Sequence, residues 1–276
     1  MPTPLRGLLI AALLSGSAAG LHSQQTGADK PVLLFLGGNP VERPPGNPDP
    51  YSLRPLVPDE QLQGRLQQGG YGWFADCFST KLTPEFLRQF NAVVLLDVPT
   101  AEANPALTAG IRRGLDLLRQ YVAEGGGLPL TGCTEYGMWA LGRDIEEMNR
   151  FLEPLAGKVL LEQVGEKEAG LRIGKPTQQS PSDLAWTGNV VQQALTAGGG
   201  GLAYPTSTAW CYYAHPVQVG ADWQVLVKGS ASAYSYTLPL GTSELGTDTK
   251  TERPGTYTSA PPLLAARESG KGRLVL

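Results

Sequence analysis

The chain has 276 residues, of which 41% are hydrophobic and 17% charged, and its net charge is −3. This is the composition of a globular protein that is long enough to bury a sizeable core. The slightly acidic balance, with no basic block, excludes nucleic acid as the expected partner, because binding to a phosphate backbone needs clustered lysine and arginine.

Residues 1–24 have the pattern of a secretory signal peptide. Arg6 supplies a positive charge, an apolar run extends from Leu8 to Leu14, and small residues between Ser15 and Ala19 suit cleavage. The run is too short to span a bilayer, and no later segment reaches the roughly 18 apolar residues of a transmembrane helix. We predict an exported protein, periplasmic or extracellular, without a membrane span; the alternative is a cytoplasmic protein with an apolar start.

The first half of the chain alternates predicted strands and helices. Residues 32–38 are an apolar run closed by glycines, which is typical of a strand buried on both faces of a parallel sheet. A proline-rich loop is predicted over 39–58. We then expect a helix over 59–68, a strand over 71–74, a helix starting at Thr83-Pro84, and a strand over 92–97.

A long helix is predicted to begin at Asn104-Pro105. Its buried stripe consists of Ile111, Leu115, Leu118 and Val122, which recur at helical spacing. A strand over 128–131 and a helix over 136–151 follow. The alternation predicts an α/β fold with a flavodoxin-like, doubly wound, mainly parallel sheet and helices on both of its faces.

The C-terminal third is predicted to add short strands to this fold. Strands are expected at 158–164, 170–173, 202–204, 209–214, 223–227 and 233–237, with a short helix at 189–197 and a polar loop at 241–262. A β-hairpin is predicted from 263–267 and 272–276. Because the chain stops inside this last strand, we expect either a fragment or the loss of a further domain.

The pattern of cysteines and histidines does not predict a metal site. Cys77, Cys133 and Cys211 are three in number, so at least one is unpaired or in an intermolecular bond, and their pairing stays open. His215 is the one histidine beyond the predicted signal peptide, and the spacings match no zinc pattern. The glycine runs lack the G-x-G-x-x-G spacing of a dinucleotide site. We expect neither a metal nor a cofactor.

Several segments together resemble the class I glutamine amidotransferase-like superfamily. They are the first strand ending in Gly-Gly, FNAVVLLDVP, LRQYVAEGGGLPLTG and the closing ARESGKGRLVL. The chain is most similar in pattern to exported amidotransferase-like domains of bacterial surface and sugar-related proteins. The resemblance implies a single domain over residues 25–276. It also implies a nucleophilic cysteine in a tight strand-to-helix turn, the position where Cys133 falls, with backbone N–H groups as oxyanion donors and a histidine base oriented by a carboxylate.

The sequence departs from this family pattern at three positions. Thr131 and Glu135 stand where small residues normally flank the nucleophile, and the negative charge of Glu135 would disfavour a thiolate. His215 lies in Ala-His-Pro-Val, which is similar to the family's His-Pro-Glu signature except for Val217. We therefore expect a domain with a binding or assembly role. The alternative is a cysteine-dependent hydrolase or amidotransferase that uses Cys133 with His215 and Glu135, so enzymatic activity stays open.

Four aromatic residues are candidates for ligand binding. Trp210, Tyr212, Tyr234 and Tyr236 occupy alternating positions in two predicted strands. On an exposed sheet face they could stack against sugar rings; on an inner face they would cover the core. Carbohydrate or another cell-envelope protein is the expected partner.

Overall fold

The structure, a computed structural model, describes residues 30–40, 53–55, 57–78, 81–96, 98, 105–130, 143–171, 185–189, 210–212, 215–237 and 253–276. These residues belong to two compact units. The first contains the described residues up to 130 together with Arg267–Leu276, and the second contains those from 143 to 266. The single domain expected over 25–276 stays a prediction.

The secondary structure is rich in short strands. The strands are β1 Val32–Leu36, β2 Gly38–Pro40, β3 Leu53–Pro55, β4 Gly72–Asp76, β5 Ala92–Leu95, β6 Gly127–Pro129, β7 Gly157–Val159, β8 Gln163–Glu166, β9 Ala185–Thr187, β10 Trp210–Tyr212, β11 Val217–Val219, β12 Gln224–Lys228, β13 Ala233–Thr237, β14 Arg253–Pro254, β15 Pro262–Ser269 and β16 Gly272–Val275. The α-helices are α1 Glu60–Gln68, α2 Pro84–Leu87, α3 Pro105–Glu124 and α4 Arg143–Leu152, and 3₁₀ turns cover Glu153–Leu155 and Ala169–Leu171.

The main sheet has seven strands in the order β12-β15-β16-β6-β5-β1-β4. The pairs from β4 to β16 are parallel, whereas β12 is antiparallel to β15. Leu33 to Leu36, which alternate between the two faces of β1, are all 0% exposed, so both faces of the sheet are covered at β1. The predicted α/β fold with a mainly parallel sheet and additional C-terminal strands is confirmed at this level.

Side-chain caps define the starts of the first two helices. The Asp59 carboxylate accepts a hydrogen bond from the Leu62 N–H at 2.8 Å, and the Thr83 hydroxyl accepts one from the Phe86 N–H at 3.2 Å. Each cap satisfies a backbone donor that has no partner within its helix. The helix start predicted at Thr83-Pro84 is confirmed, and the helix predicted over 59–68 begins one residue later, at Glu60.

The stripe predicted for α3 is buried as expected. Ile111, Leu115, Leu118 and Val122 are each at most 3% exposed. The helix ends at Glu124, and Gly125 then adopts φ +125°, a conformation that favours glycine. The chain can therefore turn directly from α3 into β6.

Within the described residues, the second unit contains three small antiparallel sheets. β8 pairs with β13 and β13 with β14, β7 pairs with β11, and β9 pairs with β10. The Trp223 indole N–H donates to the Leu155 carbonyl at 2.7 Å, and the Trp223 side chain is buried. This bond ties the segment before β12 to the 3₁₀ turn after α4.

The single strand predicted over 158–164 is wrong. β7 ends at Val159, where the Leu160 N–H donates to the Pro216 carbonyl at 2.9 Å, and β8 begins at Gln163. Leu161 between them is 37% exposed. The apolar run therefore turns a corner and contributes to two different sheets.

Three other local predictions are also corrected. The predicted loop over 39–58 contains the β2–β3 pair, and the loop over 241–262 contains β14. Such strands of two or three residues are too short to show alternation. The strand predicted at 170–173 is a 3₁₀ turn where it is described, over Ala169–Leu171. The predictions for residues 131–142, 190–197 and 202–204 fall outside the described residues.

Candidate functional site

The structure describes one of the three candidate catalytic residues. Cys133 and Glu135 lie outside the described residues, and His215 belongs to the second unit. The proposed nucleophile, its neighbour and the proposed base are therefore not brought together by any described contact. Of these three residues, His215 is the one whose contacts the structure describes.

His215 is oriented by a backbone carbonyl group. Its Nδ1 atom lies 2.7 Å from the carbonyl oxygen of Glu162. Because a carbonyl oxygen only accepts, Nδ1 must carry the proton, and Nε2 is then the unprotonated nitrogen of the neutral ring. The backbone next to the ring is held as well, since the Pro216 carbonyl accepts from Leu160 N–H at 2.9 Å. The Glu162 carbonyl thus fixes both the orientation and the tautomer of the neutral ring.

The Glu162 side chain is bound by two other residues, Ser235 and Thr256. Its Oε2 atom accepts hydrogen bonds from Ser235 Oγ at 2.5 Å and from the Thr256 N–H at 2.9 Å. Its Oε1 atom accepts one from Thr256 Oγ1 at 2.5 Å. We call Glu162, Ser235 and Thr256 the Glu162 clamp. Hydrogen bonds to an ionised acceptor are shorter and stronger than neutral ones, so the clamp is a firm link between three segments.

Gly255 and Tyr257, the two neighbours of Thr256 in the chain, also contact the clamp residues. Ser235 Oγ accepts from Tyr257 N–H at 2.9 Å, and the Tyr257 hydroxyl donates to the Val217 carbonyl at 2.9 Å. A Cβ atom at Gly255 would lie 2.5 Å from Ser235 Oγ and 2.6 Å from Glu162 Oε2. The position therefore requires glycine for steric reasons, because a methyl group would enter the clamp.

The charges in the clamp follow from these contacts. Partial burial acts to raise the pKa of Glu162, but the hydrogen bonds from Ser235 and Thr256 outweigh it, and the pKa lies below its usual value. Burial, followed by the Glu162 charge, raises the pKa of Tyr257. Glu162 is thus a carboxylate and Tyr257 a neutral phenol at pH 7.

A second carboxylate is bound in a similar way at the other end of β8. Glu166 is 0% exposed and accepts hydrogen bonds from the Ser230 hydroxyl, from Ser232 Oγ at 2.5 Å and from the Glu168 N–H at 2.8 Å. We call Glu166, Ser230 and Ser232 the Glu166 clamp. Both clamps connect the β8 segment to residues in or just before β13.

The four aromatic candidates do not lie on one sheet. Trp210 and Tyr212 belong to β10, which pairs with β9, and their side chains are outside the described part of the structure. Tyr234 and Tyr236 belong to β13, which pairs with β8. The single row of rings considered for sugar stacking is therefore divided between two sheets.

The two tyrosines of β13 also differ in exposure. Tyr236 is 1% exposed and donates its hydroxyl to Gln163 Oε1 at 2.8 Å, so its ring is part of the core and cannot stack against a sugar. Tyr234 is half-buried, and the Lys167 ammonium group lies 5.1 Å from its ring centroid. A cation at this distance occupies one face of the ring.

Sequence reasoning missed Glu162, Ser235 and Thr256. Two signals could have drawn attention to them. Glu162 interrupts the apolar run KVLLEQV, and Ser235 lies between two aromatic residues of a strand, on the face opposite their rings. A polar residue in such a place is normally hydrogen-bonded when buried.

Some features are absent from the described residues. They contain no cluster of three or more His, Cys, Asp or Glu side chains able to hold a metal ion. No helix within the described ranges is long and apolar enough to cross a membrane. Cys77, the cysteine whose side chain is described, is a buried thiol.

Comparison with known proteins yields distant structural likenesses and no match in sequence. No protein-family model and no curated protein matches the chain. Among solved structures, an exo-β-1,4-mannosidase from Opitutaceae bacterium strain TAV5 matches over 89% of this chain with 12% identity and a TM-score of 0.37. The chain spans 30% of the length of that enzyme. A likeness at this level carries no argument about function.

Proposed function

We propose that this chain is an exported domain of the class I glutamine amidotransferase-like type that serves in binding or assembly. The observation that carries the proposal is the hydrogen bond from His215 Nδ1 to the Glu162 carbonyl. A neutral carbonyl orients the ring but does not supply the negative charge with which a triad carboxylate stabilises an imidazolium ion.

The strand order supports a flavodoxin-like arrangement of the parallel strands. Taken in chain order, the five parallel strands are β1, β4, β5, β6 and β16, and across the sheet they read 2-1-3-4-5. That order is characteristic of flavodoxin-like folds. The signal-peptide pattern of residues 1–24 supports export.

We propose a carbohydrate as the ligand, with another cell-envelope protein as the second possible partner. Half-buried Glu162 and His215 and exposed Thr256 place a carboxylate, an imidazole and a hydroxyl in one connected group. Hydroxyl-rich ligands exchange hydrogen bonds with groups of these kinds. Trp210 and Tyr234 are the aromatic residues proposed to provide apolar contact with a sugar ring.

A glycan array tests the carbohydrate proposal. We expect the purified protein to bind at least one class of glycan, and Trp210→Ala to weaken that binding by about tenfold, because the variant loses both the area buried by the ring and a stacking contribution of about 0.5–1.5 kcal/mol. Tyr236→Phe is the matched control, because it alters a buried aromatic residue of β13. An array without any bound glycan, or binding that is insensitive to Trp210→Ala, would contradict the proposal.

A second candidate function is a cysteine-dependent hydrolase or amidotransferase that uses Cys133. The favouring observation is the tautomer of His215, since an unprotonated Nε2 is what a histidine base requires. In the family pattern Cys133 would be the nucleophile, His215 the base and Glu135 a neighbouring carboxylate.

Alkylation by iodoacetamide as a function of pH, read by peptide mass spectrometry, distinguishes the two functions. The binding proposal expects Cys133 to react as an ordinary thiol with a midpoint near pH 8.5, both in the wild type and in His215→Ala. Rapid labelling at neutral pH that disappears in His215→Ala would establish the enzymatic candidate instead. Resolving the labelled peptides separates Cys133 from Cys77 and Cys211.

A further inference from the structure

We propose that Glu162 is the positioning residue of His215: its clamped carboxylate fixes the backbone carbonyl that orients the imidazole ring. One residue would then act through two groups, the side chain for anchoring and the main chain for orientation. The inference holds whether His215 contributes to binding or to catalysis, so it does not depend on the proposed function.

Glu162 lies at a corner where the backbone ladder is interrupted. β7 ends at Val159, Leu160 N–H bonds to the Pro216 carbonyl, and β8 begins at Gln163. Leu161 is exposed. The direction of the Glu162 peptide group is therefore not determined by a continuous strand and depends on other contacts.

These other contacts are the hydrogen bonds that Ser235 and Thr256 donate to the Glu162 carboxylate. Ser235 is 2% exposed, its N–H donates to the Tyr257 carbonyl at 2.8 Å, and its carbonyl accepts from the Gly255 N–H at 2.9 Å. Thr256 follows Gly255 and binds the carboxylate through both its N–H and its hydroxyl. A side chain that is held at both oxygens restricts the rotation of its own backbone.

The restricted backbone is what His215 contacts. The Nδ1–carbonyl distance of 2.7 Å is at the short end of the range for N–H···O bonds, so the carbonyl is directed at the ring. If the clamp is broken, the carbonyl loses its fixed direction. The ring can then place its proton on either nitrogen.

The tautomer of His215 gives a direct readout. We would label histidine with ¹⁵N in the full chain, which has two histidines, and assign the His215 signals with His215→Gln. At a pH where the ring is neutral, the wild type is expected to show His215 protonated at Nδ1. Glu162→Ala is expected to shift the tautomer ratio toward Nε2 by about tenfold, the effect of losing one hydrogen bond.

Two further variants disturb the Glu162 clamp but keep Glu162 itself. Gly255→Ala keeps every polar group but places a methyl group 2.5 Å from Ser235 Oγ and 2.6 Å from Glu162 Oε2. Thr256→Val removes one hydroxyl donor and keeps the side-chain shape. Both are expected to shift the ratio in the same direction as Glu162→Ala, and Glu162→Gln, which keeps one acceptor oxygen, is expected to lie between wild type and Glu162→Ala.

The controls change matched sites in the same unit. Gly170→Ala adds a methyl group where nothing lies within 4 Å, and Ser232→Ala removes a donor from the Glu166 clamp. Both should retain the wild-type tautomer. An unchanged tautomer in Glu162→Ala, or an equal shift in Ser232→Ala, would overturn the proposal. If Glu162→Ala does not fold, an unchanged tautomer in both Gly255→Ala and Thr256→Val would overturn it in the same way.

Discussion

His215 Nδ1 lies 2.7 Å from the backbone carbonyl oxygen of Glu162, while the carboxylate of the same glutamate binds Ser235 and Thr256. The contact joins Glu162, which lies between β7 and β8, to His215, which lies just before β11. It also changes how the Ala-His-Pro-Val segment is interpreted. The group that orients the histidine is a main-chain carbonyl at position 162, outside that segment.

Glu162→Gln should weaken the dependence of stability on acid pH. The pKa of Glu162 is lowered in the folded state, so its contribution is present above the unfolded value near 4.3 and is lost as the pH falls through the folded value. Urea unfolding at several pH values from 7 downward would measure this. We expect the wild type to lose more stability than the variant below about pH 5. Parallel curves for the two proteins would contradict the lowered pKa.

Tyr121→Phe should destabilise the first unit and flatten its response to alkali. The Tyr121 hydroxyl donates to the Phe90 carbonyl at 3.0 Å, and its removal should cost about 1 kcal/mol. Burial raises the pKa of Tyr121, so the folded state resists its ionisation. The wild type should therefore lose stability as the pH rises above about 10, where the unfolded tyrosine ionises.

Urea unfolding from pH 8 to 11, with the near-UV absorbance of tyrosinate as a second signal, tests this expectation. Tyr71→Phe is the comparison, because Tyr71 is a partly exposed tyrosine of the same unit. An alkaline slope that is equally steep in wild type and Tyr121→Phe would be inconsistent with a raised pKa.

Gly64→Ala and Gly114→Ala should have opposite effects on stability. Gly64 is in α1, and a Cβ atom there has nothing within 4 Å, so alanine should stabilise the helix by about 0.5–1 kcal/mol. Gly114 is in α3, where a Cβ atom would clash with Phe78 Cδ1 and lie 3.2 Å from Leu82 Cδ2. Overpacking of this kind should cost about 1–3 kcal/mol. Thermal unfolding of both variants measures the difference, and a destabilised Gly64→Ala would contradict the first expectation.

Thr83→Ala should lower stability by about 1 kcal/mol, because it removes the acceptor for the Phe86 N–H at the start of α2. Thr83→Ser keeps the hydroxyl and should restore most of the loss. Denaturant unfolding of the two variants side by side provides the measurement. Equal stability of the alanine and serine variants would show that the cap hydrogen bond does not contribute.

Local sequence patterns predicted the parts of the fold that local physics determines. The apolar run of β1, the helix start at Thr83-Pro84 and the stripe of α3 each depend on neighbours within a few residues. The corner at Leu161 could not be predicted in this way, because it depends on Pro216, which pairs with Leu160 across a long stretch of sequence. A run of apolar residues does not indicate which strand it will pair with.

The candidate site was less predictable for the same reason. His215 was recognised from two adjacent residues, but its partner Glu162 is 53 positions away, and Thr256 is 94 positions from Glu162. The separation of Tyr234 from Trp210 into different sheets is also a matter of long-range pairing. Alternation identifies which side chains share a face of one strand, but it does not tell which strands share a sheet.

The position of β16 has a consequence for biosynthesis. β16 pairs with β6, yet the chain passes through the whole second unit between residue 129 and residue 272. During translation, β6 therefore cannot pair with β16 until the second unit has been synthesised. Contacts that close so long a loop are slow to form and leave an unpaired strand edge exposed in the meantime. The newly made first unit would accordingly be the part of this protein most dependent on protection from aggregation.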